Sequence, residues 1–259
     1  MIKKFENFVI TRPLNQGDSL FKSITQQLNS TEKTNVIHLP LIQINQVEIK
    51  DNINCSALKG VIFISPNAVT HAVNQLSKKD WLELTSNPLF AVGSRTEQTL
   101  KAHVQHIAIQ TPVQMNTEGL LALPDLQNVS SQNLLIVKGV GGREKLKKEL
   151  LSRGAKVEEL CTYERTMPTR KIVEQIESIT KIKTIWIITS LQALLNFYHI
   201  LKQAVPAELE LITVMQNCRL IVSSDRIRAS AINFGLQVIA VAKNATDEQL
   251  LDCIRELKL

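Results

Sequence analysis

Residues 63–69 of the 259-residue chain read FISPNAV, and residues 188–194 read ITSLQAL. Each stretch joins the end of an apolar, β-branched run to a polar turn and then to the start of an amphipathic pattern. The apolar runs are continuous rather than alternating, which is typical of parallel strands covered by helices on both faces. A strand, a polar turn and a helix in this order predict an α/β fold.

The two stretches belong to a longer internal similarity. Residues 9–12 resemble residues 136–139, and residues 91–96 resemble residues 221–226, in the same order along each half of the chain. Chance similarity between buried strands is the alternative explanation. We predict two similar domains, each a parallel sheet flanked by helices.

Two extended segments occupy equivalent places in the two halves. One runs over residues 36–44, and the other over residues 156–168, where the pattern turns polar at Tyr163. If the chain passes from one domain to the other in both segments, a two-stranded linker joins the domains, and a cleft lies between the two domains. The expected bounds are residues 1–38 plus 168–259 for the first domain, 44–162 for the second, and 39–43 and 163–167 for the linker strands.

Composition excludes several classes of protein. Hydrophobic residues make up 44%, enough for a core, and no apolar run is long enough to span a membrane. No secretory signal is expected, and four widely spaced cysteines, at positions 55, 161, 218 and 253, indicate reduced thiols in a cytoplasmic protein. The net charge of +6 favours an anionic partner, but 4% aromatics gives no stacking platform for nucleic acid. His103 and His106 lack further ligands at metal-binding spacing, so no metal site is expected.

Polar turns follow five of the predicted strands. In a parallel sheet such turns share the carboxyl edge, where ligands bind in open α/β folds. Helix N-termini there offer unpaired N–H groups, so a ligand with many carboxylates could use several turns at once. Ordinary helix capping is the alternative for each turn. The turns are Thr11–Arg12–Pro13, Ser65–Pro66–Asn67, Gly93–Ser94–Arg95–Thr96, Thr189–Ser190 and Ser224–Asp225–Arg226.

One glycine-rich loop, KGVGGRE at residues 138–144, follows a strand and opens a helix. It lacks the spacing of the dinucleotide-binding and Walker motifs, which leaves a nucleotide enzyme as a weaker alternative. The loop is either an anion-binding loop or a plain tight turn. In the first case Lys138 and Arg143 could each pair with a carboxylate.

Tyr163 lies in the second extended segment and is one of two tyrosines in the chain. A tyrosine hydroxyl is neutral at pH 7 and can donate a hydrogen bond to a leaving oxygen. A half-buried packing tyrosine is the alternative.

Taken together, the motifs resemble the uroporphyrinogen-III synthase family, in order, from Val9 to about Ile254. The resemblance implies a cofactor-free lyase acting on hydroxymethylbilane, a linear tetrapyrrole with eight carboxylates. In that family the terminal hydroxyl leaves as water, the last pyrrole ring is inverted through a spiro intermediate, and the macrocycle closes. The motifs are VITRP at 9–13, FISPNAV at 63–69, FAVG at 90–93, LIVKGVGGR at 135–143, RGAKV at 153–157 and YER at 163–165.

The resemblance also implies roles for single residues. It places Tyr163 near the leaving hydroxyl as the candidate acid, in a monomer that could receive its substrate by transient handover from hydroxymethylbilane synthase. The last of the five turns departs from the family pattern, because Ile227 occupies a position where family members often have a residue with a side-chain hydroxyl. Residues implied to line the cleft are Thr11, Arg12, Ser65, Asn67, Gly93, Ser94, Thr117, Gly119, Lys138, Gly139, Thr189 and Ser190; Arg143, Ser224 and Arg226 join them as carboxylate-binding candidates.

A second class of function stays open at this point. A two-lobed binding module for an anionic small molecule would have the same fold and cleft without chemistry. The two classes differ at Tyr163, because a binding module should tolerate its replacement by phenylalanine.

Overall fold

The computed structural model describes residues 7–28, 35–49, 55, 58–105, 107–142, 144–205 and 207–257. The chain divides into two compact units. One comprises Met1–Gln43 with Thr166–Leu259, and the other comprises Ile44–Arg165. Among the described residues, none of the helices combines the length and the apolar character that a membrane crossing requires.

The described elements alternate between strands and helices along most of the chain. In chain order they are β1 (Asn7–Ile10), α1 (Asp18–Leu28), β2 (Asn35–His38), β3 (Gln43–Gln46), β4 (Leu58–Phe63), α2 (Pro66–Gln75), α3 (Lys78–Thr85), β5 (Leu89–Ala91), α4 (Ser94–Lys101), β6 (Ile109–Gln110), α5 (Thr117–Leu121), β7 (Asn133–Gly139), α6 (Lys145–Ser152), β8 (Lys156–Thr166), α7 (Arg170–Ile179), β9 (Thr184–Ile188), α8 (Leu191–Ala204), α9 (Glu208–Asn217), β10 (Cys218–Val222), α10 (Asp225–Asn233), β11 (Gln237–Val241) and α11 (Asp247–Glu256).

The first unit contains a five-stranded parallel sheet in the order β11-β10-β9-β1-β2. All five residues of β9 are buried, because both faces of the strand are covered. Ile187 packs into the cluster that includes Ile254 of α11. Its neighbour Trp186 contacts Phe197 of α8, with ring centroids 4.5 Å apart.

The second unit contains a six-stranded sheet in the order β3-β8-β7-β4-β5-β6. The five strands from β8 to β6 are parallel to their neighbours. Successive residues of β4 again serve two cores: Phe63 packs with Val69 of α2, and Ile62 packs with Leu150 of α6. The predicted α/β fold with parallel sheets flanked by helices is confirmed.

The ends of β3 and β8 lie close in sequence to the points where the chain passes from one unit to the other. β3 begins at Gln43 and β8 ends at Thr166. Residues 163–166 continue β8 without a break, so Tyr163 belongs to a regular strand of the second sheet. The two-stranded linker and the exact domain bounds stay predictions.

Candidate functional site

The turns at the carboxyl edge of the second sheet lead directly into helices. Ser65 comes two residues after β4, and its Oγ accepts a hydrogen bond from the backbone N–H of Ala68 at 3.1 Å. Gly93 precedes α4 after β5, without a side-chain cap. Ser65 and Gly93 therefore lie at the same edge, as the parallel register requires.

Two more predicted residues occupy the first turns of α2 and α5. Asn67 is in the first turn of α2, and Thr117 begins α5. Gly119 donates its backbone N–H to Oδ1 of Asn116 at 2.8 Å. A Cβ on Gly119 would lie 2.0 Å from the carbonyl oxygen of Gln114, so the glycine is needed for this close approach. Ser94, the first residue of α4, completes the predicted set around these three helices.

Tyr163 is held near this edge by contacts to its hydroxyl oxygen and to its ring. Only 1% of the residue is exposed. Its hydroxyl oxygen lies 3.0 Å from Oγ of Ser65 and accepts a hydrogen bond from Nη2 of Arg165 at 3.0 Å. The ring stacks on His71 with centroids 5.7 Å apart, and the guanidinium carbon of Arg165 lies 5.2 Å from the ring centroid. The phenol thus has a fixed position and a cation beside its oxygen.

Gly139 makes room for this phenol. It ends β7 and pairs with Tyr163 of β8 across the ladder. The backbone N–H of Val140 also donates to the Tyr163 carbonyl oxygen at 2.8 Å. These contacts fix where the ring lies relative to the start of the glycine-rich loop.

Lys138 is already paired within the protein. It is 5% exposed, and its Nζ lies 2.6 Å from Oε1 of Glu159, while Nζ of Lys147 lies 2.7 Å from Oε2. Burial raises the pKa of Glu159, but the hydrogen bonds and charges of Lys138 and Lys147 outweigh it and bring that pKa below its ordinary value. A substrate carboxylate at Lys138 would have to share this ammonium with Glu159.

The glycine-rich loop turns through two positive φ angles, +72° at Gly141 and +91° at Gly142. A Cβ at either position would meet no atom within 4 Å, so the glycines here serve backbone conformation rather than a close packing contact. Arg143, the remaining predicted residue of the loop, lies outside the described residues.

In the first unit, Thr11 and Arg12 point their polar groups at the protein itself. Thr11 donates its hydroxyl to the carbonyl oxygen of Ile187 at 2.7 Å and is 1% exposed. Arg12 is 8% exposed and donates to Asp247 at 2.5 Å and to the carbonyl oxygen of Ala245 at 2.6 Å. Both residues fasten the end of β1 to neighbouring segments of the same unit.

The other turns of the first unit follow the capping pattern seen in the second. Ser190 caps α8 by accepting from Ala193 N at 3.1 Å, and Ser224 caps α10 by accepting from Ile227 N at 3.4 Å. Thr189 comes immediately after β9, and its carbonyl oxygen accepts from Ser223 Oγ at 3.1 Å. Arg226 is exposed. Ile227, where the family has a hydroxyl, is buried.

Two neighbours of Tyr163 were not among the predicted residues. Arg165 could have been found, because residues two apart on a strand share a face and both belong to the YER motif. His71 gave no signal, since a lone histidine in an amphipathic helix is usually a packing residue. Its Nδ1 is buried without a hydrogen-bond partner among the described residues, and burial lowers its pKa.

The described residues contain no cluster of three or more His, Cys, Asp or Glu side chains able to hold a metal ion. The four cysteines are free, and burial raises the pKa of Cys218 to about 12. Its sulfur is therefore a protonated thiol at neutral pH.

Comparison with known proteins identifies the family of the chain. The family model for uroporphyrinogen-III synthase HemD matches residues 23–252. The uroporphyrinogen-III synthase of Escherichia coli is 28% identical over 257 residues, covering 96% of this chain and 100% of the relative. The synthase of Salmonella typhimurium is 32% identical over 197 residues, covering 75% of this chain and 78% of the relative.

Among solved structures, uroporphyrinogen-III synthetase from Helicobacter pylori has the same fold. It superposes with a TM-score of 0.67 at 18% identity, covering 98% of this chain and 100% of the other. The match of the family model over most of the chain shows that this protein belongs to the uroporphyrinogen-III synthase family.

Proposed function

We propose that the protein closes hydroxymethylbilane to uroporphyrinogen III, a lyase reaction of tetrapyrrole and haem biosynthesis. The terminal hydroxyl leaves as water, the last pyrrole ring is inverted through a spiro intermediate, and the macrocycle closes. The observation that carries the proposal is the phenol of Tyr163, fixed near the carboxyl edge of the second sheet by Ser65 and Arg165 in a chain of this family.

Tyr163 is the source of the proton that the leaving hydroxyl needs. Hydroxide is a poor leaving group, and protonation in the transition state contributes roughly 10²–10⁴-fold to such steps. Loss of that proton leaves a phenolate, and the Arg165 guanidinium, 3.0 Å from the oxygen, offsets its negative charge.

The carboxylates of the substrate are held by polar turns at strand ends. Backbone N–H groups at helix N-termini favour anions, each contact contributing about 0.3–1 kcal/mol when exposed. Several weak contacts suit a flexible polyanion, because their binding energy can fold the linear substrate into the shape that ring closure requires. The proposed contacts are Thr11, Arg12, Ser65, Asn67, Gly93, Ser94, Thr117, Gly119, Lys138, Gly139, Arg143, Thr189, Ser190, Ser224 and Arg226.

Several predictions from the sequence complete the proposal. No cofactor is required, because a proton donor and a binding template suffice for the steps above. The cytoplasmic location, the monomeric state, the two-stranded linker and the transient handover from hydroxymethylbilane synthase are part of the proposal as well.

The identity of the cyclised product tests this function. Fresh hydroxymethylbilane is incubated with and without the protein, and the oxidised porphyrins are separated by isomer. Uncatalysed closure gives isomer I, because the last ring is not inverted. Predominant isomer III is expected with the protein; isomer I alone, from folded protein, would move the assignment to a non-catalytic binding module.

A further inference from the structure

The burial of Tyr163 raises the question of how its proton reaches the substrate. Only 1% of the residue is exposed, whereas Ser65, whose Oγ lies 3.0 Å from the Tyr163 hydroxyl, is half-buried. We propose that Ser65 carries the proton from Tyr163 to the leaving hydroxyl of the substrate. This inference rests on the proposed function and gives Ser65 a role beyond binding.

The hydrogen bonds around the two oxygens permit only a few arrangements. Ser65 Oγ accepts from Ala68 N at 3.1 Å, which fixes the oxygen as the cap of α2. The Tyr163 oxygen accepts from Arg165, since a guanidinium can only donate. If Tyr163 donates to Ser65, the serine oxygen has both lone pairs filled and its own proton is free to point at a ligand.

In that arrangement the relay is balanced. The Ser65 hydroxyl gives its proton to the leaving oxygen as the carbon–oxygen bond of the substrate breaks, and water departs. Ser65 takes the proton of Tyr163, so the serine stays neutral and the tyrosine becomes a phenolate beside the Arg165 cation. The cationic pyrrole left behind loses a proton on closure, and the same two hydroxyls return it to Tyr163.

Substitutions at Ser65 separate the relay from helix capping. Asparagine is as good a cap as serine but has no hydroxyl, whereas threonine keeps both functions. We expect Ser65→Asn to lower kcat for isomer III roughly 10²-fold with little change in KM, and Ser65→Thr to retain most of the turnover. If Ser65 only capped α2, both variants would keep the wild-type kcat.

Two further variants complete the experiment. Ser77→Asn makes the same change at the cap of α3, where Oγ accepts from Asp80 N at 3.1 Å, and it should leave kcat unchanged. The double variant Ser65→Asn/Tyr163→Phe should be no slower than Tyr163→Phe alone, because residues on one proton path act as a unit.

The outcomes distinguish the relay from the function on which it rests. Wild-type turnover in Ser65→Asn, together with a large loss in Tyr163→Phe, would overturn the relay and keep Tyr163 as the acid. If the fold reductions in kcat of the two single variants multiplied in the double variant, the relay would also be overturned. Absence of isomer III with the wild-type protein would instead reject the proposed function itself.

Discussion

Gly139 faces Tyr163 across the β7–β8 ladder so closely that a Cβ on Gly139 would lie 2.6 Å from Cζ of the phenol ring. Real Cβ atoms do not approach other atoms at this distance, so either the ring or β7 would have to shift. The absence of a side chain at position 139 is therefore what allows the Tyr163 hydroxyl to meet Ser65 and Arg165.

Replacing Gly139 with alanine should displace the phenol and lower turnover. A misplacement of about 1 Å can cost on the order of 10²-fold in rate, so we expect a loss of at least roughly 10-fold in kcat for isomer III. The matched control is Gly139→Ala in the Tyr163→Phe background, where little further loss is expected. An equal fractional loss in both backgrounds would show that Gly139 acts independently of the phenol.

Arg165 should matter for turnover because it stabilises the Tyr163 phenolate. A hydrogen bond to a charged group contributes about 1.5–3 kcal/mol, and exposure of Arg165 places it at the low end, so Arg165→Met should reduce kcat by roughly 10-fold. Arg255→Met removes another exposed guanidinium, paired with Asp252 at 2.9 Å, and should leave kcat unchanged. Equal rates for the two variants would exclude the stabilising role.

Glu159 should stabilise the fold through its pairs with Lys138 and Lys147. Glu159→Gln leaves the buried Lys138 ammonium with only the more distant Glu144 carboxylate, 4.0 Å away, so the free energy of unfolding should fall by roughly 1.5–3 kcal/mol at pH 7. The folded pKa of Glu159 is lowered, so this stabilisation is present above its ordinary pKa of 4.5 and is lost as pH falls through the folded value. Urea unfolding at several pH values measures it; identical curves for wild type and variant at pH 7 would contradict the prediction.

His71 should make the stability of the protein depend on pH in a different window. Burial lowers its pKa, so the unfolded chain, titrating near 6.5, binds a proton that the folded chain does not. The free energy of unfolding should therefore decrease as pH falls below about 6.5. His71→Phe keeps an aromatic ring beside Tyr163 and should show a smaller decrease between about pH 7.5 and 5.5 in urea unfolding. If the free energy of unfolding of His71→Phe decreased as much as that of the wild type, titration of His71 would not be the cause of the decrease.

Much of the fold could be predicted from local patterns. The run at β9 is apolar without alternation, and all five of its residues are buried beneath helices on both faces. Polar residues at strand ends became helix caps, as at Ser65, Ser190 and Ser224. These features depend on neighbours within a few residues, which is why a single sequence reveals them.

The contacts that define the candidate site depend on residues far apart in the chain. Arg12 was expected among the residues that bind a substrate carboxylate, and its guanidinium has a carboxylate partner within the protein, Asp247, 235 residues away. Lys138 likewise meets Glu159 across the register of β7 and β8. Local spacing predicts that such residues lie at strand ends, but not which partner the register brings to each.

The rate of isomer III formation by the Tyr163→Phe variant tests the central claim most directly. The substitution removes only the hydroxyl and leaves the ring to fill its place beside Gly139 and His71, so folding should be retained. We predict turnover lower by roughly 10²-fold, the low end for loss of an acid catalyst, with wild-type stability. Wild-type turnover in this variant would contradict the claim that Tyr163 supplies the proton.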